Sequence, residues 1–340
     1  MQMIYIDPAY RAYYKDRLFD EHDPVLNRDD TLVPFIRMQA ALSAQGVTVH
    51  TADFLFEGAA AHRGPADYYS FGMLENYASL ATRADIKLRA FVIFEPPVVA
   101  PALYRELPAL TAAFERVYVH NVVGDGYSLE GVNQQKLRKL YWPQPKTDVL
   151  AEIWQQGSRL RRMVVINGNH KPVSHAGELY SKRIEVMAQL ADINVVDLYG
   201  RGWERWWSRN AMWLPYWRHR KTLMSIYKGA CESKYTVLGG YDFALCFENM
   251  TMQGYVTEKI FDCLYAGTIP VYLGASDIAS LIPEACYVDY RNYSSPQEMW
   301  RHLQEMPVSE VAIMREAGRE FIQSIDYHKY FNFVQGIVIV

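Results

Sequence analysis

Short apolar runs alternate with helix-length segments along this chain, and the alternation falls into two series. Runs of this kind are too short to be helices, and a run that is apolar throughout suits a strand buried on both faces. Such strands pair in parallel through crossover segments, so the alternation selects an α/β fold. In the first series residues 3–6 read as a strand and residues 32–44 as an apolar helix that ends before Gly46 and leads into Val47, Val49 and His50. A strand at 90–94, a helix at 102–114 and a strand at 117–119 follow. The second series has strands at 163–166, 195–198, 243–247 and 269–273. Its helices are expected at 177–191 and at 257–266, the latter closed by Gly267. Ser295, Pro296 and Glu298 supply an N-cap, a first-turn proline and a capping-box acid for one more helix.

A chain of 340 residues that is 50% apolar exceeds one compact core and suits two domains. The stretch 141–146, with Pro143 and Pro145, reads as the linker, giving an expected first domain of residues 1–150 and a second of 151–340. A net charge of -3 and a pI near 6.3 provide no basic field for nucleic acid or an anionic membrane. Cys231, Cys246, Cys263 and Cys286 are too dispersed for a metal or redox pair and are expected to be reduced core thiols. The chain opens without a charged leader and contains no apolar run of membrane-spanning length, so the expected location is the cytoplasm.

In doubly wound folds the chemistry sits in loops at the carboxyl ends of the strands, here after Phe94, Ile166, Leu198, Phe247 and Leu273. The richest such stretch is 241–274. Its strand ends in Glu248-Asn249, and its helix opens with Thr257-Glu258-Lys259. Carboxylate, amide and ammonium groups thus stand beside free helix N–H donors, a setting that suits a diphosphate. On spacing alone, Glu258 and Lys259 equally suit a solvated first turn with Thr257 as its cap.

Phe247-Glu248-Asn249, then Tyr255-Val256-Thr257-Glu258-Lys259 and Ala266-Gly267-Thr268-Ile269-Pro270-Val271, resembles the signature of the α1,3/4-fucosyltransferases, glycosyltransferase family 10. Upstream, Gly168-Asn169, Tyr180-Ser181-Lys182-Arg183 and Tyr199-Gly200-Arg201 are similar to that family's Ser-Asn loop, diphosphate-binding arginine and Tyr-Gly-Arg turn, with Gly168 standing where serine is common. The resemblance implies a GT-B fold of two Rossmann-like domains facing across a cleft, the first binding acceptor and the second donor. It implies GDP-fucose as donor, contacted by Asn169, Arg183, Asn249, Tyr255, Glu258 and Lys259, with Arg201 a further candidate. Glu95 follows an apolar strand and precedes Pro96-Pro97, which holds it in extended geometry. By the same likeness it is the catalytic carboxylate.

The expected activity is that of an inverting transferase moving L-fucose from GDP-fucose to a glycan hydroxyl. The acceptor would contain galactose or N-acetylglucosamine, or be of O-antigen type, within protein glycosylation or lipopolysaccharide synthesis. A transferase using another nucleotide deoxysugar and a non-catalytic carbohydrate-binding protein are the alternatives. No Asp-x-Asp triplet occurs, so no metal site and no cofactor is expected, although stimulation by a divalent ion stays open. Residues 203–220 pack five tryptophans among arginines. Trp206, Trp207 and Trp213 are candidates for an acceptor platform or a peripheral membrane contact, and burial on their own domain is the third reading.

Overall fold

The computed structural model describes residues 2–56, 64–155, 157–174, 176–205 and 213–338, and it divides into two compact units. One comprises Met1–Pro145 with His328–Val340, the other Lys146–Tyr327. The chain therefore changes unit inside the proline-rich stretch. The end of the expected second domain instead belongs to the first unit. Phe333, Val334, Ile337 and Val338 are buried against Ile4, Ile6, Met38 and Phe71, and this apolar face draws the segment back.

The first unit holds six parallel strands: β1 (Met3–Pro8), β2 (Thr48–Thr51), β3 (Ala66–Phe71), β4 (Ile86–Val92), β5 (Arg116–Val119) and β6 (Leu137–Lys139), in the order β2-β1-β3-β4-β5-β6. Tyr5, Tyr68, Phe91 and Val117 face one apolar layer, while Ile4, Tyr69, Val92 and Tyr118 face the other. Burial on both faces explains why these strands lack polar alternation. β3 escapes a hydropathy reading because it carries Asp67 and Ser70; Arg89 and Gln2 bond the Asp67 carboxylate at 2.7 and 3.0 Å. The helix expected at 102–114 is two, Pro101–Arg105 and Leu107–Ala113, since Pro108 has no N–H to continue the ladder.

The second unit is also six-stranded and parallel: β7 (Leu160–Ile166), β8 (Val196–Tyr199), β9 (Tyr227–Gly229), β10 (Tyr241–Phe247), β11 (Ile269–Leu273) and β12 (Val288–Asp289), ordered β12-β11-β10-β7-β8-β9. The strand order reverses between β7 and β10, which makes the carboxyl ends of these two strands the expected crevice for a ligand. Helix Glu258–Ala266 crosses from β10 to β11 and stops at Gly267, whose φ of 69° is left-handed. Ser295 caps helix Pro296–Glu305 by accepting from the Glu298 N–H, while the Glu298 carboxylate reaches Ser294, one residue before the cap. Two long helices, Leu214–Ile226 and Val308–Gln323, were not anticipated. None of the described helices is long and apolar enough to cross a membrane.

Of the cysteines, Cys246, Cys263 and Cys286 are buried thiols, whereas Cys231 is only half-buried and so is not a core residue.

Candidate active site

At the carboxyl end of β10 the chain places Glu248, fully buried, against the start of helix Glu258–Ala266. Its carboxylate accepts from the Thr257 N–H at 2.8 Å and from the Thr257 hydroxyl at 2.8 and 3.0 Å. Lys259 Nζ lies 3.0 Å from Glu248 Oε2 and donates to Thr257 Oγ1 at 2.9 Å. Thr257 is thus not a side-chain cap: its hydroxyl serves Glu248. Gly274 is required here, because a Cβ at that position would come within 2.5 Å of Glu248 Cγ.

This arrangement sets the charge of the site. Burial works against the Lys259 ammonium, but the carboxylates of Glu248 and Glu258 outweigh it and raise the pKa above the ordinary lysine value. Burial likewise opposes the Glu258 carboxylate, yet Lys259 and Lys234 hold its pKa below the usual range. Lys234 bonds Asp262 at 2.5 Å one turn further along. These four side chains line one pocket with Ile166 and Asn167 of the β7 end, enclosing about 470 Å³ at the reversal of strand order.

Arg183, 3% exposed on helix Tyr180–Asp192, donates through one terminal nitrogen to the carbonyls of Phe247 and Glu248 at 2.6 and 2.7 Å. It therefore clamps the β10 end, and its Nε has no partner among the described residues. Asn169 is buried in the loop after β7. Its N–H donates to the Arg201 carbonyl at 3.0 Å and its Nδ2 to Gly202 at 3.3 Å, while Oδ1 is left unbonded among the described residues. Arg201 contributes this carbonyl, and its side chain is exposed. Gly200 permits the close approach: at φ 137° a Cβ would fall 2.0 Å from the Asn167 oxygen. Gly168 also has a local reason, since a Cβ there would meet the His170 ring at 2.5 Å, so a serine would have to displace that ring. Burial and the Arg183 charge push the His170 pKa below its ordinary value.

Asn249 is half-buried, and its carbonyl accepts from the Leu179 N–H at 2.9 Å. Tyr255, 1% exposed, is packed in the wall, and its carbonyl accepts from the Tyr272 hydroxyl at 3.3 Å. Of the expected donor contacts, only Glu258 and Lys259 line the pocket; Arg183, Asn169 and Tyr255 are buried behind the loops that shape it. Glu248 was not among the candidate contacts, although its position in the Phe-Glu-Asn run was a visible signal.

Glu95 belongs to the first unit, three residues beyond β4. Its carbonyl accepts from the Tyr104 hydroxyl at 3.1 Å, and the preceding Phe94 carbonyl lies 2.7 Å from His120 Nε2. A carbonyl only accepts, so Nε2 carries the proton. Two buried side chains thus pin consecutive peptide groups and fix where Glu95 projects.

In the tryptophan segment, Trp203 is buried and donates to the Asn167 carbonyl at 2.7 Å, and its own carbonyl accepts from Tyr216. Trp213 is half-buried and packs on the same core. Trp206 and Trp207 lie outside the described residues, as does His175.

Residues 169–315, which include every second-unit residue named as a donor contact, match the C-terminal part of glycosyltransferase family 10 (fucosyltransferase). An α-(1,4)-fucosyltransferase of Arabidopsis thaliana is 35% identical over 72 residues, 21% of this chain and 18% of that protein. An α-(1,3)-fucosyltransferase of Helicobacter pylori is 29% identical over 100 residues, 29% of this chain and 21% of that protein. The matched stretches thus span about a fifth of these relatives' length. A solved α1,3-fucosyltransferase structure with GDP is similar over 94% of this chain and 82% of that one, with a TM-score of 0.53 and 13% identity, a likeness of fold. The fold is of the GT-B type, two Rossmann-like units.

Proposed function

Because this chain belongs, through residues 169–315, to glycosyltransferase family 10, we propose that it transfers L-fucose or a close deoxysugar relative from a GDP-sugar to a glycan hydroxyl, with inversion. The observation that carries this reading is Lys259, fixed by buried Glu248 at the start of a helix and facing a pocket at the strand-order reversal. In the proposed reaction an acceptor hydroxyl attacks the anomeric carbon and gives its proton to the Glu95 carboxylate. The bond to the β-phosphate oxygen breaks, and the electron pair leaves with GDP. Lys259 and the helix N–H groups stabilise that charge, and Arg183 keeps the β10 end in place for it. The β-linked donor becomes an α-linked product. We propose action on the cytoplasmic side without a required cofactor; the countercharge comes from Lys259, so turnover in excess EDTA should match that in buffer.

Calorimetric titration with GDP, UDP and ADP, followed by GDP-fucose turnover on galactose- and N-acetylglucosamine-containing acceptors, tests the reading. GDP-selective binding with transfer is expected. Preference for UDP or ADP would move the protein to another donor class, and glycan affinity without nucleotide affinity would make it a binding protein.

A further inference from the structure

The first unit contains a second pocket that the donor chemistry does not use. Its walls include Tyr10, Tyr13, Phe35, Phe71, Phe94 and Trp142, and Glu95 stands among them. It encloses about 750 Å³, within the range of small-molecule sites. The rings form a continuous array: Phe35 to Phe71 at 5.5 Å, Phe71 to Phe94 at 6.0 Å and Phe94 to Trp142 at 5.7 Å between centroids.

Three features mark a built site. Pro8, Ala9 and Phe71 bring the carboxyl ends of β1 and β3 into the lining, and these neighbours are where the strand order of this unit reverses. The two segments that supply the outer wall carry left-handed backbone at non-glycine residues, Lys15 and Asp16 in one and Asp29 and Asp30 in the other, conformations that cost free energy and cluster at functional sites. Asp16 holds its turn by accepting from the Thr51 N–H at 2.7 Å. Finally, Tyr10 stays 57% exposed beside Glu95 although it is a large ring next to an apolar hollow.

A plain hexose offers hydroxyls on nearly every edge and would leave them unpaired against such a lining. Resting on the reading of Glu95 as the base, we propose that this pocket is an acceptor subsite for a saccharide that carries an apolar substituent close to its reacting hydroxyl. The methyl of an acylamino group and an alkyl or aryl aglycone share that chemistry.

Matched pairs test it across several acceptor sugars. Methyl and phenyl β-glycosides of glucose, galactose and N-acetylglucosamine are compared by saturation-transfer spectra and by KM in GDP-fucose turnover. Within at least one pair of one sugar, phenyl for methyl or acetamido for hydroxyl, the apolar member should bind about tenfold more tightly or better, with saturation centred on the apolar group. The arm that shows the gain names its source. Tyr10→Ala and, separately, Phe35→Ala should abolish the gain while GDP affinity, which reports an intact second unit, stays unchanged. Equal binding within every pair, or a gain that survives both substitutions, overturns the proposal. Absence of any transfer together with a ring-dependent gain would instead reject Glu95 as base and keep the pocket.

Discussion

Glu248 Oε2 and Lys259 Nζ stand 3.0 Å apart, with the carboxylate fully buried and the ammonium at the rim of the second-unit pocket. The pair sets how the cation is held. A lysine alone is a flexible point charge, whereas here Glu248 and Thr257 fix its position before any ligand arrives.

Removing either member should therefore have different consequences. Lys259→Ala takes away the charge directed at the diphosphate and leaves Glu248 buried without its cation. GDP affinity should fall, and stability should drop by about 3 kcal/mol or more. Glu248→Gln keeps the Thr257 hydrogen bonds but frees Lys259, so GDP affinity should fall with a smaller loss of stability. Calorimetry with GDP and denaturant titration separate the two effects; equal GDP affinity in both variants and wild type would remove Lys259 from the donor site.

Glu95→Gln should spare GDP binding, since Glu95 lies in the other unit, and should lower turnover by about 10²- to 10⁴-fold if the carboxylate is the base. A loss of GDP affinity comparable with that of Lys259→Ala would place Glu95 on the donor side.

The tryptophans should divide by burial. Trp203→Ala removes a buried ring and its bond to the Asn167 carbonyl, with an expected cost of about 3–5 kcal/mol and a loosened loop after β7. Trp213→Ala, at a half-buried position, should cost less. If Trp206, Trp207 and Trp213 form an acceptor platform, their combined replacement should raise acceptor KM at unchanged melting temperature. A membrane foot would instead show as salt-dependent loss of liposome binding alone.

Asp7 gives a pH prediction. It is buried at the end of β1, which raises its pKa despite hydrogen bonds from Tyr68, Asn76 and Tyr14. The folded state then binds this proton more tightly than the unfolded chain. Its contribution to stability is present below pH 3.8 and is lost as pH rises through the raised folded value. Asp7→Asn lacks that dependence, so wild type should gain stability relative to the variant as pH is lowered towards 4. Parallel unfolding curves for the two proteins at every pH would refute the assignment.

The two parallel sheets were legible in the sequence because strands buried on both faces must be apolar throughout, and that pattern survives without tertiary information. Lys259 and Glu258 were legible for a related reason. Their position at a helix start after a strand is fixed by local order, and the helix dipole acts within one turn. β3 was hidden because Asp67 breaks its apolar run, and only the distant Arg89 makes that charge tolerable. The role of Glu248 was hidden in the same way. A glutamate beside an asparagine reads as a surface residue until the fold buries it against Thr257 and Lys259.

By itself, the sequence determined the class of fold, the order of its strands along the chain and the residues that open the second-unit pocket. Those features follow from periodicity and neighbouring residues. Only the tertiary structure decided that residues 328–340 return to the first unit, that Arg183 clamps the β10 end through two carbonyls, and that an aromatic pocket surrounds Glu95. Each depends on side chains tens to hundreds of residues apart, whose burial and pairing are settled by packing rather than by any local pattern.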